Sequence, residues 1–156
     1  MDGYLWIKYA HIVGATVIFG TGIGTAFQMV MAHRSGEVGG IALVARNVVK
    51  ADWLFTTPAV ILQPLTGATM AITMGYSFWD RWLWVSILLY ALAGVCWLPV
   101  VWIQLRMRDL AVEAARAGEP LPPAYHRLFR WWFALGWPAF GAVLVIFHLM
   151  IEKPFG

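Results

Sequence analysis

Four apolar runs, each near the ~20 residues that a helix needs to cross a bilayer, decide what this chain can fold into. They are expected as helices over Leu5 to Ala32, Trp53 to Tyr76, Trp82 to Leu105 and Leu128 to Ile151. Only 12% of the residues are charged and 61% are hydrophobic. A soluble domain would be about a quarter charged and about half apolar. The 156 residues make one domain, 1–156, of all-α class: an integral membrane four-helix bundle. The N-terminus lacks a basic segment, and its apolar run is too long for a cleavable signal, so the first helix is expected to be retained.

The connections carry the charge. "SFWDRW" reads as a tight turn between the second and third helices. "RSGEVGGIALVARNVVKAD" reads as a longer loop with a short helix, and "DLAVEAARAG" as an amphipathic extension stopped by glycine. Arg34, Arg46, Lys50, Arg106, Arg108, Arg116, Arg127 and Arg130, eight of the eleven basic residues, lie in or beside the first and third connections. The positive-inside rule places these in the cytoplasm and both termini on the periplasmic side. The formal net charge of +3 is explained by this topology, so no nucleic-acid partner is expected.

Histidines stand out in such a chain, because a titratable ring in hydrocarbon is costly. His11 and His33 lie 22 residues apart, as do His126 and His148. At 100° per residue that spacing returns to within about 40° of the starting direction, so each pair marks one helix face. With antiparallel first and fourth helices, His11 and His148 are expected at similar depth near the outer face. Facing each other, they would form the pair that holds a b-type haem between helices. Gly14, Ala15, Gly22 and Ala26 give the flat ring room on the His11 side. The alternative for His11 is a buried ring bonded to a neighbour's carbonyl or hydroxyl. His33 and His126 are further metal-ligand candidates, although histidines near charged loops are commonly solvated.

Arg46 and Lys50, one turn apart, could receive an anionic group such as porphyrin propionates. Gln63, Thr66 and Thr69 are polar within the second run, where they can bond between helices. Met29, Met31, Met70, Met74 and Met150 read as flexible filler rather than a copper path, and Cys96 as a small core residue. Prolines 58, 64, 99 and 138 require neighbours to satisfy the carbonyls they free. No carboxylate is expected deep within any span, which argues against a proton relay.

The stretches "YLWIKYAHIVGATVIFGTGIGTAFQMVMAH", "ARNVVKADWLFTTPAVILQPLTG" and "RLFRWWFALGWPAFGAVLVIFHLMIEKPF" resemble a bacterial family of predicted integral membrane proteins with a domain of unknown function. More distantly, the chain is similar to HemJ-type protoporphyrinogen oxidases and CopD-like membrane proteins. The elements shared with the HemJ type are Trp6, Lys8 and His11; Arg46 with Thr57-Pro58-Ala59; and Lys153-Pro154-Phe155. This resemblance implies a multi-pass protein of the bacterial inner membrane, with His11 as a haem ligand and His33 as a second histidine of the first helix. The essential lysine of HemJ-type enzymes is missing: Val85 and Ser86 stand early in the third helix.

The expected function is haem-dependent membrane redox chemistry or electron transfer, with quinone or a redox protein as partner. The alternative from another class is a non-enzymatic scaffold or accessory subunit in a homo-oligomer or larger membrane complex. HemJ-like porphyrinogen oxidation and copper handling are further alternatives.

Overall fold

A computed structural model describes residues 2–153. They form α1 (Asp2–Ser35), α2 (Val38–Ala51), α3 (Thr57–Thr73), α4 (Arg81–Ala117) and α5 (Pro123–Glu152), with no strand among the described residues. α1, α4 and α5 are each long and apolar enough to cross a membrane. Pro154 and Phe155 of the closing motif lie outside the described residues.

The second apolar run, expected to span from Trp53 to Tyr76, departs from expectation: its helix, α3, is not among the three long and apolar enough to cross a membrane. The connection after α1 is mostly helical, and α2 runs through a π-helical turn, Asp52–Thr56, directly into α3. The backbone remains helical throughout, so residues 38–73 form one uninterrupted rod. α2 is drawn into the fold by its buried stripe of Ile41, Ala45, Val48 and Val49, which packs against α4. This tertiary contact overrides Gly39 and Gly40 in its first turn, which by propensity favour a loop.

α4 continues past its apolar run, as the "DLAVEAARAG" pattern indicated, and ends at Gly118. That residue takes φ 68°, the left-handed cap that glycine adopts without a Cβ penalty. The short link to Pro123 folds α5 back, making α4 and α5 the most extensively paired helices. α1 packs mainly on α3 and α2.

Packing is tight at both ends of the bundle. At one end Met29, Ile41, Met107, Ala111, Tyr125 and Trp132 form a buried cluster joining α1, α2, α4 and α5. At the other, Ala71, Trp82 and Leu83 pack together, and Lys153 Nζ donates to Tyr76 Oη at 3.0 Å. Between these ends lies a cavity. Large apolar side chains on the outer surface, such as Ile72, Val95 and Leu98, remain exposed, as a lipid-facing surface requires.

Pro64 illustrates how the interior accommodates a missing donor. In α3 its absent N–H leaves the Val60 carbonyl without its i+4 partner. Tyr90 Oη of α4 donates to that carbonyl at 2.6 Å, tying the helices together across the middle of the bundle.

Candidate functional site

His11 faces α3. Its Nδ1–H donates to Thr66 Oγ1 at 2.8 Å, and Gln63 Nε2 donates to its Nε2 at 3.3 Å. The Thr66 hydroxyl passes its own proton on to the Leu62 carbonyl at 2.9 Å. Close helix approach makes the network possible. A Cβ at Gly14 would stand 2.7 Å from Gln63 Oε1, and one at Gly67 would stand 3.2 Å from His11 Cε1.

Both ring nitrogens of His11 are thereby engaged within the bundle, Nδ1 by Thr66 and Nε2 by Gln63. His148 is 62% exposed, with Nε2 3.4 Å from a Glu152 carboxylate oxygen on its own helix. The hydrogen bonds of His11 run to α3 and the ion pair of His148 stays on its own helix. The fold does bring together His33 and His126, whose ring centroids lie 5.6 Å apart where α1 meets α5. His33 also stacks on Phe129 at 3.7 Å, an apolar use of the ring. Among the described residues, no group of three or more His, Cys, Asp or Glu side chains could hold a metal.

A second feature is a cavity of about 400 Å³ in the middle of the bundle, between α1, α4 and α5. Small residues make the space: Gly22 and Ala26 of α1, Gly94 of α4, and Gly136 and Ala139 of α5. Aromatic rings, including Phe19, Trp97, Trp132 and Phe140, supply much of the remaining wall. Gly22, expected beside a haem, borders this cavity, and a Cβ there would meet open space. No histidine lines it.

One wall is polar, and sequence reasoning missed it. Asp52, Thr56 and Gln104 border the cavity, and each is more than nine-tenths buried. Thr56 Oγ1 donates to Asp52 Oδ1 at 3.0 Å, and the Gln104 side chain of α4 lies beside the same carboxyl. No carboxylate was expected deep within a span, and Asp52 is instead buried in the interior at the edge of one. Asp52 sits one residue before the expected start of its span, and the unbroken helix carries it into the interior. The available signal was Asp52 and Thr56 at i, i+4 spacing beside Trp53, where a carboxylate and a hydroxyl share a helix face. The π turn holding both is a rare element, often found at functional sites.

The cluster suits recognition of a polar head within an apolar site. The Thr56 proton is committed to Asp52, while the carboxyl's second oxygen and the Gln104 amide remain able to bond a ligand. Arg46 and Lys50 do not reach this cavity. They border a separate cleft with Arg108 and Arg116.

No curated protein and no solved structure matches the chain. A family model does, and it bears on the membrane family rather than on the wider likeness to HemJ-type or CopD-like proteins. The model described as "Predicted integral membrane protein (DUF2269)" matches residues 5–154, and the chain belongs to that family.

Proposed function

We propose that the protein is a four-pass membrane bundle that binds a neutral, amphipathic lipophile in its central cavity. The observation that carries this reading is the Asp52–Thr56–Gln104 cluster, buried at a π turn on the wall of an otherwise apolar space. An ionisable group within a membrane bundle is expensive to bury and marks a functional site by default. Ligand sites characteristically combine apolar walls with a few polar groups that fix orientation.

The shape favours a long molecule. Along α4 the wall extends from Tyr90 to Gln104, about 21 Å at the helical rise. The carboxyl of Asp52 would repel a fatty-acid anion and accept from a hydroxyl. A long-chain quinol or another hydroxyl-bearing isoprenoid meets both conditions. The charge distribution supports placing the polar end in the cytoplasmic leaflet, since Lys50 and Arg106 flank it on α2 and α4. The second passage then spans as well, and both termini lie on the periplasmic side.

The test begins with organic extraction of gently purified protein and mass spectrometry of the extract. Ubiquinol or menaquinol, kept reduced and added to delipidated protein, should quench tryptophan fluorescence through Trp97 and Trp132, at stoichiometry near one. Gly94→Leu, which fills the cavity, should abolish the quenching. Equal quenching in that variant would refute the site. A Soret band in the purified protein, lost in His11→Ala, would instead restore iron ligation by His11.

A further inference from the structure

We infer that the cleft between α2 and α4 binds the phosphoryl headgroup of an anionic phospholipid. This inference stands apart from the central cavity and does not depend on its ligand. Arg46 and Lys50 stand one turn apart on α2, and Arg108 and Arg116 two turns apart on α4; together they border a cleft of about 410 Å³. Its only acidic wall residue is Asp109, which is committed to Arg108 at 2.7 Å. Arg46, Lys50 and Arg116 make no ion pair among the described residues.

Four cations spread over about 12 Å of helix repel one another. The helices beneath them nevertheless stay closely packed, with Val48, Val49, Ala111 and Ala114 buried. A phosphoryl group offers what the cleft lacks: a concentrated negative charge with several acceptor oxygens, matched to guanidinium forks.

The level of the cleft points to a lipid. Lys50 lies three residues before Trp53, which is exposed, and Trp102 of α4 is exposed at the corresponding boundary. Tryptophans mark the interfacial zone, so Lys50 stands at headgroup depth with Arg46 one turn farther out. Val49 and Val112 complete the cleft with apolar surface suited to a glycerol backbone.

The experiment uses native mass spectrometry and thermal unfolding of the full chain in neutral detergent. Phosphatidylglycerol, phosphatidylcholine or inorganic phosphate is titrated at fixed ionic strength. Phosphatidylglycerol should be retained preferentially and should raise the unfolding temperature. Each basic side chain near an anionic lipid surface contributes a factor of about five in affinity. Arg46→Gln/Lys50→Gln/Arg108→Gln/Arg116→Gln should therefore fall to the phosphatidylcholine level. The charge-matched control Arg34→Gln/Arg106→Gln/Arg127→Gln/Arg130→Gln, drawn from outside the cleft, should keep its preference. Equal binding of the two lipids overturns the inference, as does equal loss in the control. Displacement of phosphatidylglycerol by millimolar phosphate assigns the site to a soluble anion and overturns the lipid assignment.

Discussion

Thr56→Val asks whether the polar wall of the cavity serves binding or stability. Valine has nearly the shape of threonine, so the substitution removes the 3.0 Å bond to Asp52 without opening space. A hydrogen bond contributes about 0.5–1.5 kcal/mol net in soluble proteins, and more when one partner is charged. Side-chain bonds within membrane bundles average about 0.6 kcal/mol and reach about 1.7. Because the acceptor is a buried carboxyl with few other partners, the expected cost is about 1–1.7 kcal/mol, the upper part of that range. Removing the whole cluster should have a different effect. Buried polar groups replaced together by apolar ones commonly leave stability unchanged or improved. Asp52→Leu/Thr56→Val/Gln104→Leu should thus unfold at the wild-type denaturant concentration or above it, while losing quinol-dependent quenching. Reversible unfolding in mixed micelles measures the first quantity, and tryptophan fluorescence the second. A triple variant destabilised by more than about 2 kcal/mol that still binds ligand would refute the assignment, since the cluster would then be structural.

Other substitutions test the remaining geometry. Gly14→Ala should destabilise the α1–α3 contact by about 1–2 kcal/mol, through displaced Gln63 and its lost bond to His11. In a Gln63→Ala background the same change should cost much less, as a double-mutant cycle in the unfolding assay would show. Tyr90→Phe should cost about 1 kcal/mol by stranding the Val60 carbonyl. Pro64→Ala, which restores the intrahelical donor, should remove most of that penalty when the two are combined. Met107→Ala, at a fully buried position, should cost about 2–5 kcal/mol and lower the thermal midpoint, while leaving cavity binding intact.

The sequence made the helical class legible because hydrocarbon admits few alternatives to long apolar helices. α1, α4 and α5 follow their apolar runs closely, and Gly118 stops α4 where glycine was expected to do so. The His11 environment was legible as a pair of alternatives, and its Thr66 partner is the hydroxyl that one of them required. The 22-residue spacing was less informative than it looked. Spacing fixes the direction of a side chain on its own helix, whereas a partner depends on which helix lies opposite. α3 lies opposite His11, and His33 meets His126 where α1 and α5 converge. Asp52 was hidden for a similar reason. Between Lys50 and Trp53 it resembles the charged edge of a span, and only the docking of α2 on α4 turns that edge inward.

The pattern along residues 38–73 explains why the polar groups face inward. The buried stripe runs Ile41, Ala45, Val48 and Asp52, at steps of four, three and four, so Asp52 occupies the position where another apolar residue would continue the core. Thr56 follows four residues later, and Gln63 and Thr66 extend the inner side of α3, while Leu54, Phe55, Ile61, Leu62 and Leu65 are exposed outward. The rod thus reverses its amphipathy at the π turn: apolar-inward in α2, polar-inward beyond it. Such an inner stripe persists only if each polar group is paired, because hydrocarbon supplies no partners. Gln63 and Thr66 are paired by His11, which gives the histidine a structural role as the mate of α3. Thr56 is paired by Asp52, and Asp52 is met by Gln104. Of these pairings, the one at Asp52 opens onto the cavity, and a ligand there would complete the carboxyl's bonding. The same logic separates the two ends in experiment. His11→Leu should loosen α1 from α3, with stability falling and quenching preserved in the folded fraction, whereas Asp52→Leu/Thr56→Val/Gln104→Leu should spare stability and lose quenching.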